Sequence, residues 1–354
     1  MRLALSVSPY RLPLRRPWRS ARDRLENRSG WLVTAAMDGC RGFGDCAPLP
    51  AAGTETPAVA RAQLARWRET AASLRCDDPL EHLLKALGRP SASPAPAADC
   101  AVECALLDLQ ARRAGIPLRQ LLAGSAADQV AVNAMLGEAS QVTPDAIRDA
   151  VAQGFRVLKL KVGIAVAAVE LARLDAVGGV LPAGRALRLD ANGAWEMPEA
   201  VRFIAGLRAL PIESLEEPLT RPTDTLLARL QQAAGFSIAL DESLARWPSP
   251  LSPRSLPVRR LVLKPGVVGG LRRTLTLARG AQAAGREVVL TGLVESAAGI
   301  WATSQLAAAV GSTLAHGLAT GTWLARDLGT APCPVGGRLV LPERPGSGFE
   351  PSMG

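Results

Sequence analysis

Between residues 130 and 318, short runs rich in Val, Leu and Ile alternate with longer stretches of Ala, Arg and Leu. The runs fall at residues 130–136, 157–162, 186–190, 212–216, 237–241, 260–264 and 287–291, with a weaker one at 315–318. Apolar runs of this length, bounded by polar residues, predict eight strands separated by helices. The polar residues that end six of them, Lys161, Asp190, Glu216, Asp241, Lys264 and Thr291, follow one another at steps of 29, 26, 25, 23 and 27 residues. A strand–helix unit repeating at that interval predicts an α/β fold, a (β/α)7–8 barrel of the TIM type. An open doubly wound sheet alternates in the same way, but its first unit carries a glycine-rich dinucleotide loop, and the sequence has none.

The first 125 residues follow another pattern. Apolar runs at 3–14 and 31–36 predict strands, 42–53 is rich in turn formers, and 58–74 and 98–114 have helical spacing, separated by the proline-rich segment 88–97. We expect an α+β capping domain over residues 1–125, joined by the C-terminal segment 325–354, and a catalytic barrel over 126–324.

Composition narrows the function. At 354 residues, 48% hydrophobic and 21% charged, the chain is globular rather than disordered, collagen-like or coiled-coil. No apolar run approaches the ~20 residues of a membrane span, and no 7–15-residue apolar core follows the N-terminal arginines, so a cytoplasmic protein with no membrane partner is expected. The net charge of +9 suggests anionic partners, but only four of the 41 basic residues are lysine, Lys85, Lys159, Lys161 and Lys264. The 37 arginines are scattered and aromatics make up 4%, so nucleic acid is not an expected partner. The densest basic stretch, 11–28, reads as a solvated or substrate-facing loop. Six cysteines form no CxxC pair, and Cys100 and Cys104, four apart on a helix, read as buried small residues. With only His82 and His316, a serine-hydrolase triad or a His-rich zinc site lacks candidates, which leaves carboxylates and lysines for acid–base chemistry.

In a TIM-type barrel the active site lies at the C-terminal ends of the strands. Asp190, Glu216 and Asp241 end three successive strands there. Each of these acids alone reads as a helix cap; three together repel and call for a hard divalent cation with oxygen ligands, Mg2+ or alternatively Mn2+. Lys159 and Lys161, at i and i+2, face the barrel interior together, where mutual repulsion near a cation lowers a lysine pKa toward that of a general base. Arginine cannot replace them, because it does not deprotonate at accessible pH. The parts suggest removal of a proton α to a metal-bound carboxylate, with Lys161 and Lys264 on opposite faces of the substrate and the resulting enediolate stabilised electrostatically.

These residues resemble the enolase superfamily, in the subgroup of muconate lactonising enzyme: KxK (Lys159, Lys161), DAN (Asp190 to Asn192), EEP (Glu216 to Pro218), DES (Asp241 to Ser243) and KPG (Lys264 to Gly266). Within it, RLDANGAW, LEEPL, ALDESL, VLKPGVVGG, LVESAAG and HGLATGTWLARDL are most similar to the o-succinylbenzoate synthase family. That resemblance implies a lyase of menaquinone biosynthesis, which dehydrates 2-succinyl-6-hydroxy-2,4-cyclohexadiene-1-carboxylate in the syn sense. It implies Lys161 as base and then acid, Lys264 as the protonated stabiliser, Lys159 assisting the carboxylate, and Asp190, Glu216 and Asp241 on Mg2+. Candidate substrate contacts are Arg188, Asn192, Thr291, Gly292 and Glu295. Specificity loops are expected at 16–28 and 49–56, with arginines there receiving the succinyl carboxylate, and Gly269-Gly270 as either a turn or an anion cradle.

Three other readings compete. An N-succinylamino acid racemase or dipeptide epimerase would use the two lysines as two-sided bases, but the stretch after the eighth strand, LATGTWL, has no acid for a substrate ammonium. Schiff-base chemistry would need one lysine and no metal. A non-enzymatic, arginine-rich nucleic-acid binder is the most remote. The partner expected is a small-molecule carboxylate, and a homo-oligomer is left open.

Overall fold

A computed structural model of the chain describes residues 2–19, 24–74, 76–88, 93–246 and 253–352. The chain opens with an antiparallel sheet of β1 (Ala4–Arg19), β2 (Arg24–Met37) and β3 (Cys40–Cys46). Asp38 and Gly39 join β2 to β3 with φ of 51° and 79°, the left-handed pair that an Asp-Gly hairpin turn requires. Helices α1 (Pro57–Ser73), α2 (Pro79–Leu87) and α3 (Pro96–Ala114) follow, with α3 packed on β2 and β3.

Two expectations for this region change. Residues 42–53 begin in strand, not turn: a Cβ at Gly42 or Gly44 would collide with the backbone of α3 at Leu109 or Ala101, so these glycines serve close packing. The supposed loop 16–28 is largely hairpin, with β1 and β2 paired as far as Arg19↔Arg24. Its residues 20–23, and residues 89–92 of the proline-rich segment, lie outside the described residues.

After α4 (Leu118–Ala123), the run at 130–136 divides. Its first part is β4 (Gln129–Ala131), which pairs antiparallel with β12 (Arg338–Val340) near the C-terminus, and its second is β5 (Ala134–Glu138), the first barrel strand. Then come β6 (Val157–Lys161), β7 (Ala186–Asp190), β8 (Ile212–Glu216), β9 (Ser237–Leu240), β10 (Arg260–Leu263) and β11 (Glu287–Leu290). All seven are parallel, in sequential order from β5 to β11. Their connections contain α5 (Pro144–Ala152), α6 (Ala167–Gly178), α7 (Met197–Gly206), α8 (Asp224–Ala233), α9 (Pro265–Val268) and α10 (Leu271–Ala283); α11 (Ala297–Val310) follows β11.

The eighth run, 315–318, is not a regular strand, yet it joins the two edges of the sheet. Asn133 N–H donates to the His316 carbonyl (3.0 Å), His316 N–H to Ala131 (2.8 Å) and Gly317 N–H to Leu290 (2.8 Å). Edge backbone groups that would otherwise be unpaired are satisfied there, and the curled sheet closes.

Toward the N-terminal ends of the strands the interior holds a buried ion network. Arg260 donates to Glu213, Glu287 and Ser214, each at 2.8 Å. Arg188 donates to Glu213 (2.8 Å), Asn133 (3.1 Å) and the carbonyl of Ala315 (3.0 Å). His316 is buried above it, and its Nδ1 accepts from Leu290 N–H at 2.9 Å. Burial, and then the charge of Arg188, push its pKa down to about 3 from an ordinary 6.5.

The imidazole is therefore neutral in the folded chain. An unfolded chain takes up the proton more readily, so the ring's contribution to stability is complete above about pH 6.5 and declines as pH falls toward about 3, with a limiting slope of about 1.4 kcal/mol per pH unit. Urea midpoints measured across this window should fall with acid in the wild type and less steeply in His316→Asn, whose amide oxygen keeps an acceptor.

Candidate active site

Residues at i and i+2 of a strand share a face, and β6 presents Lys159 and Lys161 to the barrel interior beside the ends of β7 and β8. Lys159 Nζ lies 2.7 Å from Glu216 Oε2 and 2.9 Å from Asp190 Oδ2. Lys161 Nζ donates to Asn192 Oδ1 at 2.5 Å and lies 3.7 Å from Asp190 Oδ2. Across the mouth, Lys264, just after β10, is 2.5 Å from Asp241 Oδ2 and 3.7 Å from Glu242 Oε1. All six of the expected catalytic and metal residues therefore meet in one place. Lys161, Lys264, Asp190, Glu216 and Asp241 are each less than a tenth exposed.

Electrostatics follow from these pairs. Burial alone would lower the pKa of Lys159, but Asp190 and Glu216 outweigh it and hold the ammonium well above the usual lysine range. The same balance, against Asp241 and Glu242, raises Lys264. The expected depression of a lysine pKa is therefore reversed at Lys159, because its nearest neighbours are carboxylates. Burial works against the Asp190 carboxylate, but Lys159 and Lys161 prevail and hold its pKa below the usual range. Asp241 moves up, through burial and the charge of Glu242.

The backbone at the mouth is specialised. Asn192 and Glu217 are non-glycine residues at φ 46° and 45°. The left-handed turn at Asn192 brings its side chain to Lys161, while its N–H donates to Asp190 Oδ1 at 3.1 Å. Glu217 turns away from the mouth and accepts from Asp241 N–H (2.7 Å) and from Ser243 N–H (2.9 Å) and Oγ–H (2.6 Å). Burial and Glu242 push its pKa up to about 7. It fastens the end of β9 to that of β8, a role that the EEP motif alone does not disclose.

The donors suit a hard cation. Asp190, Glu216 and Asp241 supply oxygen, and Glu216 Oε1 is buried without a hydrogen-bond partner. In the present arrangement Lys159 stands between Asp190 and Glu216 while Lys264 holds Asp241. Among the described residues no three His, Cys, Asp or Glu side chains are gathered closely enough to hold a metal.

The lysines line a cleft together with Asn192, Thr291 and Gly292, as expected. Two candidates lie elsewhere. Arg188, two residues before Asp190, faces the same way one layer deeper, where it is consumed by Glu213, Asn133 and Ala315. Glu295 curls back to accept from Leu293 N–H (2.6 Å) and lines a separate small cavity with Asp45, Cys100 and Cys104. The loop expected at 49–56 lines the cleft through Leu49, Ala51 and Ala52, whereas the apolar residues Met135, Leu293, Val294 and Trp323 are walls that sequence reading missed. Among the described residues, no arginine lines the cleft. Gly269-Gly270 is a turn: Gly269 ends α9 at φ 95°, and a Cβ on Gly270 would strike the Glu103 carboxylate.

Two family profiles match the chain: the enolase C-terminal domain-like family over residues 143–354 and the MenC N-terminal domain over residues 2–93. The chain belongs to the enolase superfamily. It aligns over most of its length with several named enzymes. A hydrophobic dipeptide epimerase of Roseobacter litoralis is 30% identical over 306 residues, 84% of this chain and 85% of that protein. An o-succinylbenzoate synthase of Pasteurella multocida is 29% identical over 298 residues, 80% and 79% of the two chains. The crystal structure of a dipeptide epimerase from Enterococcus faecalis, complexed with Mg and the dipeptide L-Leu-L-Tyr, superposes with a TM-score of 0.86 at 26% identity, covering 98% of this chain and 99% of that one.

Because Arg188 serves the ion network, Arg188→Ala should cost about 3–5 kcal/mol of stability, the usual loss when one partner of a buried ion pair is removed. Urea unfolding checks the figure.

Proposed function

We propose that the protein is an o-succinylbenzoate synthase, catalysing loss of water from 2-succinyl-6-hydroxy-2,4-cyclohexadiene-1-carboxylate. The observation that carries this reading is the cleft flanked by Lys161 and Lys264, in which every lining carboxylate already faces a lysine. Asp190, Asp241 and Glu242 each have a lysine Nζ within 3.7 Å, which leaves, among the described residues, no lining carboxylate to receive the ammonium of a dipeptide. The match to the MenC N-terminal domain supports the same choice.

Asp190, Glu216 and Asp241 would hold Mg2+, which supplies positive charge for the substrate carboxylate. Lys161 takes the proton from the carbon next to that carboxylate and returns it to the departing hydroxide on the same face, so that water leaves and the ring becomes aromatic. Lys264, held as an ammonium by Asp241, faces the other side and stabilises the negative charge that develops on the carboxylate. Lys159 keeps Asp190 ionised and orients both Asp190 and Glu216. The apolar walls exclude water from the ring.

A second reading keeps the same lysines. In N-succinylamino acid racemisation, or dipeptide epimerisation, Lys161 and Lys264 would act as bases on opposite faces; the similarity to the Roseobacter litoralis epimerase supports it.

Lys161→Ala and Lys264→Ala should each lower kcat on the cyclohexadiene substrate by about 10²–10⁴-fold, the span of a lost acid–base group, with circular dichroism unchanged. Chelation of divalent cations should abolish turnover, and added Mg2+ should restore it; full activity in chelator would exclude the scheme. Deuterium incorporation at the α-carbon of N-succinylamino acids, faster than the dehydration, would favour the second reading.

A further inference from the structure

Val294 sits at φ 59°, a backbone conformation that is strongly unfavourable for a β-branched residue. Strain of this kind persists only where the surroundings over-determine it. Here they do. Glu295 Oε2 accepts from Leu293 N–H (2.6 Å), and Arg28 Nε donates to the Leu293 carbonyl (3.1 Å). Asp45 Oδ2 accepts from both the N–H and the hydroxyl of Ser296, each at 2.7 Å, while Tyr10 fixes the other oxygen of Asp45. Thus two residues of the N-terminal sheet, Arg28 and Asp45, hold Leu293 and Ser296, one on each side of the strained position.

The gripped segment forms part of the cleft wall. Leu293 and Val294 line the cleft, and Leu293 packs on Leu49 and Ala52 of the N-terminal segment. Arg28 also donates to the carbonyls of Ala47 and Pro48, immediately before Leu49. One guanidinium, only 3% exposed, therefore ties together the two walls that face each other across Leu49 and Leu293.

We propose that Arg28 and Asp45 are positioning residues that hold Val294 in its strained conformation, and that this braced wall sets the size of the group the cleft admits beside the reacting carboxylate. Arg28 does not meet a substrate carboxylate; it acts through the two carbonyl-bearing walls. The inference rests on the reading of this cleft as the substrate site, and two of its tests need no substrate.

In Arg28→Met, amide hydrogen exchange at residues 293–297 should quicken by about tenfold or more while the barrel strands exchange as in the wild type; unchanged exchange at 293–297 overturns the brace. Val294→Gly should melt at a higher temperature than Val294→Ala, the reverse of the usual order, because only glycine takes this φ without cost; the usual order overturns the strain. With substrates, both Arg28→Met and Val294→Gly should shift the ratio of kcat/KM for N-succinylphenylalanine over N-succinylalanine by about tenfold toward the larger, chiefly through KM. An unchanged ratio, or a loss confined to kcat, overturns the selectivity role. If the wild type acts on neither these compounds nor the cyclohexadiene, the proposed reaction fails, and exchange and melting still decide whether the wall is braced.

Discussion

Carboxylates at the ends of neighbouring strands cannot be buried side by side without cations between them, and the mouth of this barrel is organised around that constraint. Lys159 lies between Asp190 and Glu216, and Lys264 lies on Asp241. The same contacts raise Lys159 and Lys264 and depress Asp190, so these three groups stay charged, while burial and the charge of Glu242 move Asp241 up. A mouth of this kind brings ammonium groups and carboxylate oxygens to one cleft, the parts that the proposed reaction requires. The burial that makes unpaired charge costly is also what makes the paired charges effective.

The rest of the fold serves the spacing of that set. Both in left-handed backbone, Asn192 ties the end of β6 to that of β7 and Glu217 the end of β8 to that of β9. Below them the network of Arg188, Glu213, Arg260 and Glu287 plugs the barrel, and His316 and Gly317 close its two edges. The N-terminal sheet is part of the same construction, since Asp45 and Arg28 reach the segment after β11 that forms one wall of the cleft. The N-terminal sheet and the barrel are thus joined through hydrogen bonds to backbone.

Much of this was legible in the sequence, and the exceptions share a cause. Strands β7 and β8 begin and end where the apolar runs do, and the polar residues that end the strands come together at the mouth, because a fixed strand–helix interval and a side-chain period of two are local properties. The run at 130–136 splits because β4 pairs with β12, more than 200 residues later, a partnership no local pattern reveals. Gly42 and Gly44 read as turn residues when what they permit is contact with α3. Arg188 faces the interior as its spacing from Asp190 requires, but depth along the strand, not face, separates a structural ion pair from a binding residue. Glu295 follows a left-handed Val294, and that turn of the backbone, invisible in the motif, sends its carboxylate away from the cleft.

The central claim is that Asp190, Glu216 and Asp241 form one cation site whose charges the lysines balance. Calorimetric titration of the purified chain with Mg2+ tests it most directly. The account requires a single site per chain, lost in Glu216→Gln while that variant stays folded. Absence of binding in the wild type, or undiminished binding in the variant, would contradict it.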